Sequence, residues 1–223
     1  KFVFLMHPKE AYKQRTGTGR LAHLTLEQSE IIIGIDFTEN KRLNELLNSK
    51  EYVPLLLYPG EDAWSAQTEN EGKKLKTMLG NKTLLVIVVD ATWFLAKKMM
   101  RLSKNLQQLQ KLSFKANYRS QFQFKTQPAE ECLSTIESCY YLINELKSAG
   151  ICKDVPAEPL MNIFKQMVSF QIESQKEREQ SGIPDRYQAA GALRARKAAA
   201  RKAKEEALKI KLQNETATPA QTD

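Results

Sequence analysis

The chain has 223 residues, 42% of them apolar, and a net charge of +8. That length supports one domain with a real core, or one domain plus an appendage; no apolar run reaches the roughly 18 residues needed to cross a bilayer, so no membrane association is expected, and an odd, sparse cysteine count without a secretory signal fits a reduced cytoplasm. The basic balance, with a pI near 9.3, favours a polyanionic partner through attraction and counterion release.

In chain order, residues 2–6 read as a first β-strand. The chain opens on it without a methionine, as a truncated protein does, and the stretch is too short for a signal peptide. Further strands are predicted over 31–35, 54–58 and 84–89, with helices over 41–48, 72–79 and 93–102 between or after them. Residues 84–89, Leu-Leu-Val-Ile-Val-Val, are apolar throughout. A strand without alternation is covered on both faces, which places it at the centre of a parallel sheet between helix layers. The alternation of strands and helices predicts an α/β domain with a mainly parallel sheet flanked by helices.

Beyond residue 110, a cation–aromatic segment contains Tyr118, Arg119, Phe122, Phe124 and Lys125. It reads equally well as a nucleic-acid surface or as an edge strand with inward aromatics. A helix follows over 135–149, entered through a capping-box pattern, Ser134 with Glu137 three residues on. A second helix over 158–179 carries Leu160, Ile163, Phe164 and Met167 at i, i+3, i+4, i+7, one face laid on the domain. We therefore divide the chain into a domain over 1–176 and a basic tail over 177–223, partly helical or disordered. In that tail Arg194, Lys197, Arg201 and Lys204 follow i, i+3, i+7, i+10 spacing, so a helix would put them on one face. The tail is either solvated or an RNA-backbone clamp that orders on binding.

Three cysteines, Cys132, Cys139 and Cys152, show no CxxC pair. They read as reduced, buried small hydrophobes. His7 and His23 are the sole histidines, so no metal site is expected. No P-loop, GxGxxG or GxSxG pattern is present.

Ligands of open parallel sheets bind beyond the carboxyl ends of the strands. Three polar, turn-forming segments stand at predicted strand ends: His7-Pro8-Lys9-Glu10 with Thr16–Arg20, then Pro59-Gly60-Glu61-Asp62-Ala63, then Asp90-Ala91-Thr92-Trp93. Asp90 reads either as a helix N-cap or as a partly desolvated carboxylate able to act as a base. Trp93 is core or a stacking wall. Ser134 and Thr135 open a helix that either caps itself or receives oxygens of a ligand.

Taken together, these segments resemble the DTW-domain family, which includes tRNA-uridine aminocarboxypropyltransferases. The resemblance covers about residues 1–172 and rests on five elements in order. They are HPxE at His7–Glu10, TGRLA at Thr18–Ala22, YPGEDA at Tyr58–Ala63, DxTW at Asp90, Ala91, Thr92 and Trp93, and LSTxE at Leu133–Glu137. Departures include Gly17 where the family often has Asn, and Phe122 and Lys125 where it often has Tyr and Arg, which removes a hydroxyl and a guanidinium fork.

The resemblance implies a fold akin to the SPOUT methyltransferases, with a knotted C-terminal region holding S-adenosylmethionine. It implies transfer of the 3-amino-3-carboxypropyl group to the imino nitrogen of a tRNA uridine, at position 47 of the variable loop in bacterial relatives, with release of methylthioadenosine. Asp90 would be the catalytic base. Thr18, Tyr58, Pro59, Gly60, Trp93, Leu112, Leu133, Ser134 and Thr135 would surround the cofactor. His7, Arg20, Arg119, Lys125, Arg194, Lys197, Arg201 and Lys204 would contact RNA. A SPOUT-type RNA methyltransferase and a non-catalytic RNA-binding protein are the alternatives. A monomer is favoured.

Overall fold

In a computed structural model of the chain, residues 1–14, 17–122, 132–153 and 155–181 are described. Among these residues five strands form one sheet: β1 (Phe2–Met6), β2 (Ser29–Ile33), β3 (Tyr52–Leu57), β4 (Thr83–Asp90) and β5 (Lys111–Leu112). The order is β2-β1-β4-β3-β5, and every pairing is parallel. The apolar run of 84–89 is thus the central strand, as its composition requires.

The helices are α1 (Pro8–Lys13), α2 (Thr18–Thr25), α3 (Lys41–Asn48), α4 (Glu69–Leu79), α5 (Trp93–Leu102), α6 (Lys104–Gln107), α7 (Thr135–Ser148) and α8 (Glu158–Gln180). The bounds of α3 and α5 coincide with the sequence reading. Asn40 caps α3, its side chain accepting from the Leu43 N–H at 2.9 Å, a local start signal of the usual kind. The chain falls into two compact units, Lys1–Ser169 and Phe170–Asp223. Within the second, residues 170–180 are α-helical.

Side chains alternate across the sheet. Val3, Leu5, Ile32, Leu56, Leu85 and Ile87 pack in one core with Leu43 and Leu46 of α3, Met99 and Met100 of α5, and Leu106 of α6. Phe4, Leu55 and Val88, of opposite parity, are buried as well, so the sheet is covered on both faces. Each such aliphatic or aromatic side chain contributes on the order of 1.5–3 kcal/mol when fully buried.

Four sequence readings are corrected. Strand β2 begins and ends two residues earlier than expected, because the register Met6↔Ile33 ends the ladder there. The segments after His7 and Gly17 are short helices rather than turns. The cation–aromatic segment forms no strand over its described residues 118–122. Its Phe122 is buried against Phe164 at 5.6 Å between ring centres. Of the cysteines, Cys139 is buried, whereas Cys132 and Cys152 are partly exposed. Lys125, Arg194, Lys197, Arg201 and Lys204 lie outside the described residues.

Candidate active site

Because β1, β3 and β4 run parallel, the segments that follow them meet on one rim. Met6 is level with Asp90, and Leu57 with Val88. Beyond the ladder the His7 N–H donates to the Asp90 carbonyl at 3.0 Å.

Past β3, β4 and β5 lies a cavity of about 330 Å³. Its walls include Tyr58, Pro59, Trp93, Leu112, Leu133 and Thr135. Six of the nine residues expected around a ligand therefore meet. The 58–64 loop is clasped onto β5. Tyr58 N–H donates to Leu112 O at 3.0 Å, Trp64 N–H to Lys111 O at 2.9 Å, and the Lys111 ammonium pairs with Asp62 at 2.9 Å. The Tyr58 and Trp93 rings stand 6.2 Å apart and tilted by 55°.

Three expected members do not line the cavity. Gly60 lies against Asp62 and Lys111 instead, where an added Cβ would stand 2.9 Å from Asp62 Oδ1. Ser134 spends its N–H and its hydroxyl on Glu137, at 2.9 and 2.5 Å. Thr18 is buried, 5% exposed, at the start of α2. The sequence reading left residues 113–117 of the wall unassigned and placed Tyr118 in the cation–aromatic segment rather than at the cavity. That run has no periodicity and no motif to reveal it.

Asp90 is 7% exposed. Its Oδ1 accepts the Thr135 hydroxyl proton at 2.6 Å. Its carboxylate also faces α2 so closely that a Cβ on Gly19 would stand 2.2 Å from Oδ2. That approach explains a glycine inside a helix, a position that ordinarily costs about 1 kcal/mol relative to Ala. Asp90 itself stands behind the cavity wall. Its neighbours Val89, Ala91 and Trp93, and its partner Thr135, form that wall. Asp90 does not cap α5: Thr92 occupies the N-cap position and is exposed.

Two further carboxylates brace the site. Glu137, fully buried, accepts from Ser120 Oγ at 2.8 Å and Gln121 N–H at 2.7 Å in addition to Ser134. It thereby pins the 120–121 segment to the start of α7. Glu145 is 2% exposed and accepts from the Tyr118 hydroxyl at 3.1 Å, while its Oε2 has no partner among the described residues. Burial pushes its carboxyl up to about 7. Tyr118, a cavity wall, stacks on Tyr141 at 3.9 Å. Burial and then the nearby Glu145 push its phenol up to about 12.

The expected RNA contacts are scattered. His7 is 5% exposed, and its Nδ1 accepts the Lys9 N–H at 3.0 Å, capping α1. Burial, and then Lys9 and Lys98, hold its pKa below the ordinary value. A buried neutral cap offers a phosphate no charge. Arg20 is exposed and donates to the Ala11 carbonyl. Arg119 is exposed. Among the described residues no group of His, Cys, Asp and Glu could hold a metal ion, and no helix is long and apolar enough to cross a membrane.

Residues 1–172 match the DTW domain. The chain is 28% identical over 170 residues to tRNA-uridine aminocarboxypropyltransferase 2 of Drosophila melanogaster, covering 74% of this chain and 63% of that protein. It is 25% identical over 170 residues to the proteins of the same name from Macaca fascicularis and Mus musculus, covering 76% of this chain and 54% of each. The chain thus spans about half to two thirds of the length of these relatives. No solved structure matches it significantly. With its DxTW element at the end of the central strand and the match running over most of its length, the chain belongs to the DTW domain family.

Proposed function

We propose that this chain is a tRNA-uridine aminocarboxypropyltransferase that uses S-adenosylmethionine. The observation that carries the reading is the Thr135–Asp90 hydrogen bond, which sets a buried carboxylate one hydroxyl behind the wall of a ligand-sized cavity. Family membership and the names of the relatives support it.

The residues present suit the cofactor. At about 330 Å³, the cavity is within the range of small-molecule pockets. Tyr58, Trp93, Leu112, Phe114 and Leu133 offer apolar walls for an adenosine. Lys115, also on the wall, is paired with Glu71 at 3.3 Å and would have to exchange that partner to meet a ligand carboxylate. When bound, S-adenosylmethionine supplies an electrophilic carbon beside its sulfonium.

The chain's own part is to hold the uracil and take its imino proton. Thr135 donates its hydroxyl proton to Asp90, so its oxygen lone pairs are turned away from that carboxylate. The imino proton passes to Thr135 Oγ1 while the Thr135 proton passes to Asp90, a relay that activates a poor nucleophile. With S-adenosylmethionine bound, the nitrogen so deprotonated would face the electrophilic carbon, and the cofactor would supply its sulfur as a neutral thioether leaving group that takes the electron pair of the carbon–sulfur bond. The Tyr58 and Trp93 rings limit water and fix the approach. The base reaches the pocket from a single-stranded or extruded nucleotide. The SPOUT-type grouping with a knotted C-terminal region, position 47 as acceptor, and a cytoplasmic location belong to the same proposal.

Incubating the chain with unmodified tRNA and S-adenosylmethionine tests it by mass spectrometry. Methylthioadenosine together with an aminocarboxypropyl-uridine is the expected outcome. S-adenosylhomocysteine with a methylated nucleoside would replace the reading with a methyltransferase.

A further inference from the structure

The cavity occupies the β3–β4–β5 side of the rim. The β1–β4 side carries a different surface, which the proposed chemistry leaves unused. Helix α5 begins at Trp93. Trp93 and Ala96 turn toward the cavity, and Met99 and Met100 toward the core. Phe94, Lys97, Lys98 and Arg101 are all exposed. At 100° per residue they lie within an arc of about 100°. Phe94 is 80% exposed, although it sits in the first turn beside a deep core.

Helix α1, which leaves the neighbouring strand β1, repeats the pattern. Lys9, Tyr12 and Lys13 are exposed at i, i+3, i+4, Tyr12 to 76%. The one acid of α1, Glu10, is buried. Met6 is level with Asp90, and Lys9 and Lys98 both act on His7, so the two helix starts share this rim.

The ion pairs of the described residues engage Lys1, Arg42, Lys73, Lys111 and Lys115. The cations of this face, Lys9, Lys97, Lys98 and Arg101, stand outside those pairs, as do Lys41, Lys50 and Lys82, and what this face adds is two exposed rings set among its cations, Tyr12 and Phe94. A surface that leaves its cations uncompensated around exposed aromatic rings fits a polyanion with unpaired bases: cations take phosphates, rings take base faces.

We infer that the outward faces of α1 and α5 are the docking surface for single-stranded tRNA nucleotides, with Phe94 and Tyr12 stacking on bases and Lys9, Lys97, Lys98 and Arg101 on phosphates. The inference rests on the tRNA-modifying reading above and adds where the RNA lies. A strand on α5 is held on the back of the helix whose inner side walls the cavity, so a nucleotide extruded from it reaches the pocket over the first turn.

The test is fluorescence anisotropy of the full chain with unmodified tRNA across a salt series, beside calorimetry with S-adenosylmethionine. Lys97→Ala/Lys98→Ala/Arg101→Ala should reduce the slope of log affinity against log salt by about 2–3, at roughly 0.7–0.9 for each phosphate no longer neutralised. Phe94→Ala should weaken binding roughly 5- to 100-fold with the slope kept, and Phe94→Tyr should restore it. Both variants should bind S-adenosylmethionine like the parent, whereas Lys73→Ala/Lys76→Ala on α4 should leave the tRNA curve unmoved. A triple variant with parental affinity and slope overturns the surface while leaving the enzyme reading intact. A parent chain that binds no tRNA overturns both.

Discussion

The two flanks of the strand-end rim differ in shape and in chemistry. Beyond β3, β4 and β5 the molecule is concave, and aromatic and aliphatic side chains wall a cavity of about 330 Å³. Beyond β1 and β4 it offers two short helices whose outward residues are lysines, an arginine and two exposed rings. A small molecule with an apolar, stackable moiety is held by desolvation in a pocket, a polyanion by charges that stay in water. On the reading proposed above, dividing the rim would give cofactor and RNA each its own medium. Asp90 ends the strand shared by both flanks, level with Met6 on one side and bonded to the cavity-wall Thr135 on the other.

The largest expected effect comes from breaking that junction. Asp90→Asn keeps an acceptor for Thr135 but removes the base. Turnover, read as methylthioadenosine release, should fall on the order of 10²–10⁴-fold. Binding of tRNA and of S-adenosylmethionine, measured separately, should stay at parental levels. Full turnover in the variant would take Asp90 out of the chemistry and leave it a tie between β4 and α7.

A smaller effect sharpens the concave flank. Glu145 holds the wall residue Tyr118, and its carboxyl titrates at about 7 instead of the ordinary 4.5. The folded state therefore prefers it protonated. The stability it contributes is complete below pH 4.5 and is lost as pH rises through about 7. Glu145→Gln should abolish that slope and, above pH 7, raise stability over the parent by on the order of 2–3 kcal/mol. Urea unfolding at about pH 5 and pH 8 measures it. Equal pH slopes in parent and variant would mean that Glu145 is ionised in the fold.

What was legible in the sequence was whatever local chemistry enforces. Residues 84–89 had to be covered on both faces, and became β4. The Ser134–Glu137 pair marked the start of α7, and the helix begins there. The strand-end rule located the rim. The short elements were not legible. Helix α2 carries Gly19 in its first turn, which reads as a turn until the Asp90 carboxylate above it is known. Strand β5 has two residues, too few for any period. The wall at 113–118 and the Tyr118–Glu145 bond join positions 27 apart, a closure made by tertiary packing alone. The α5 face was present in the spacing of Phe94, Lys97, Lys98 and Arg101, but a solvated helix face and a binding face share that pattern until the exposure of Phe94 and of Tyr12 on α1 is known.

The central claim is that the cavity beyond β3, β4 and β5 is the cofactor site. A crystal structure of the chain with methylthioadenosine tests it most directly. Density for the adenosine among Tyr58, Trp93, Leu112 and Leu133, with its sulfur on the Thr135 side, is the expected result. Density at any other part of the sheet, with this cavity filled by solvent, would contradict it.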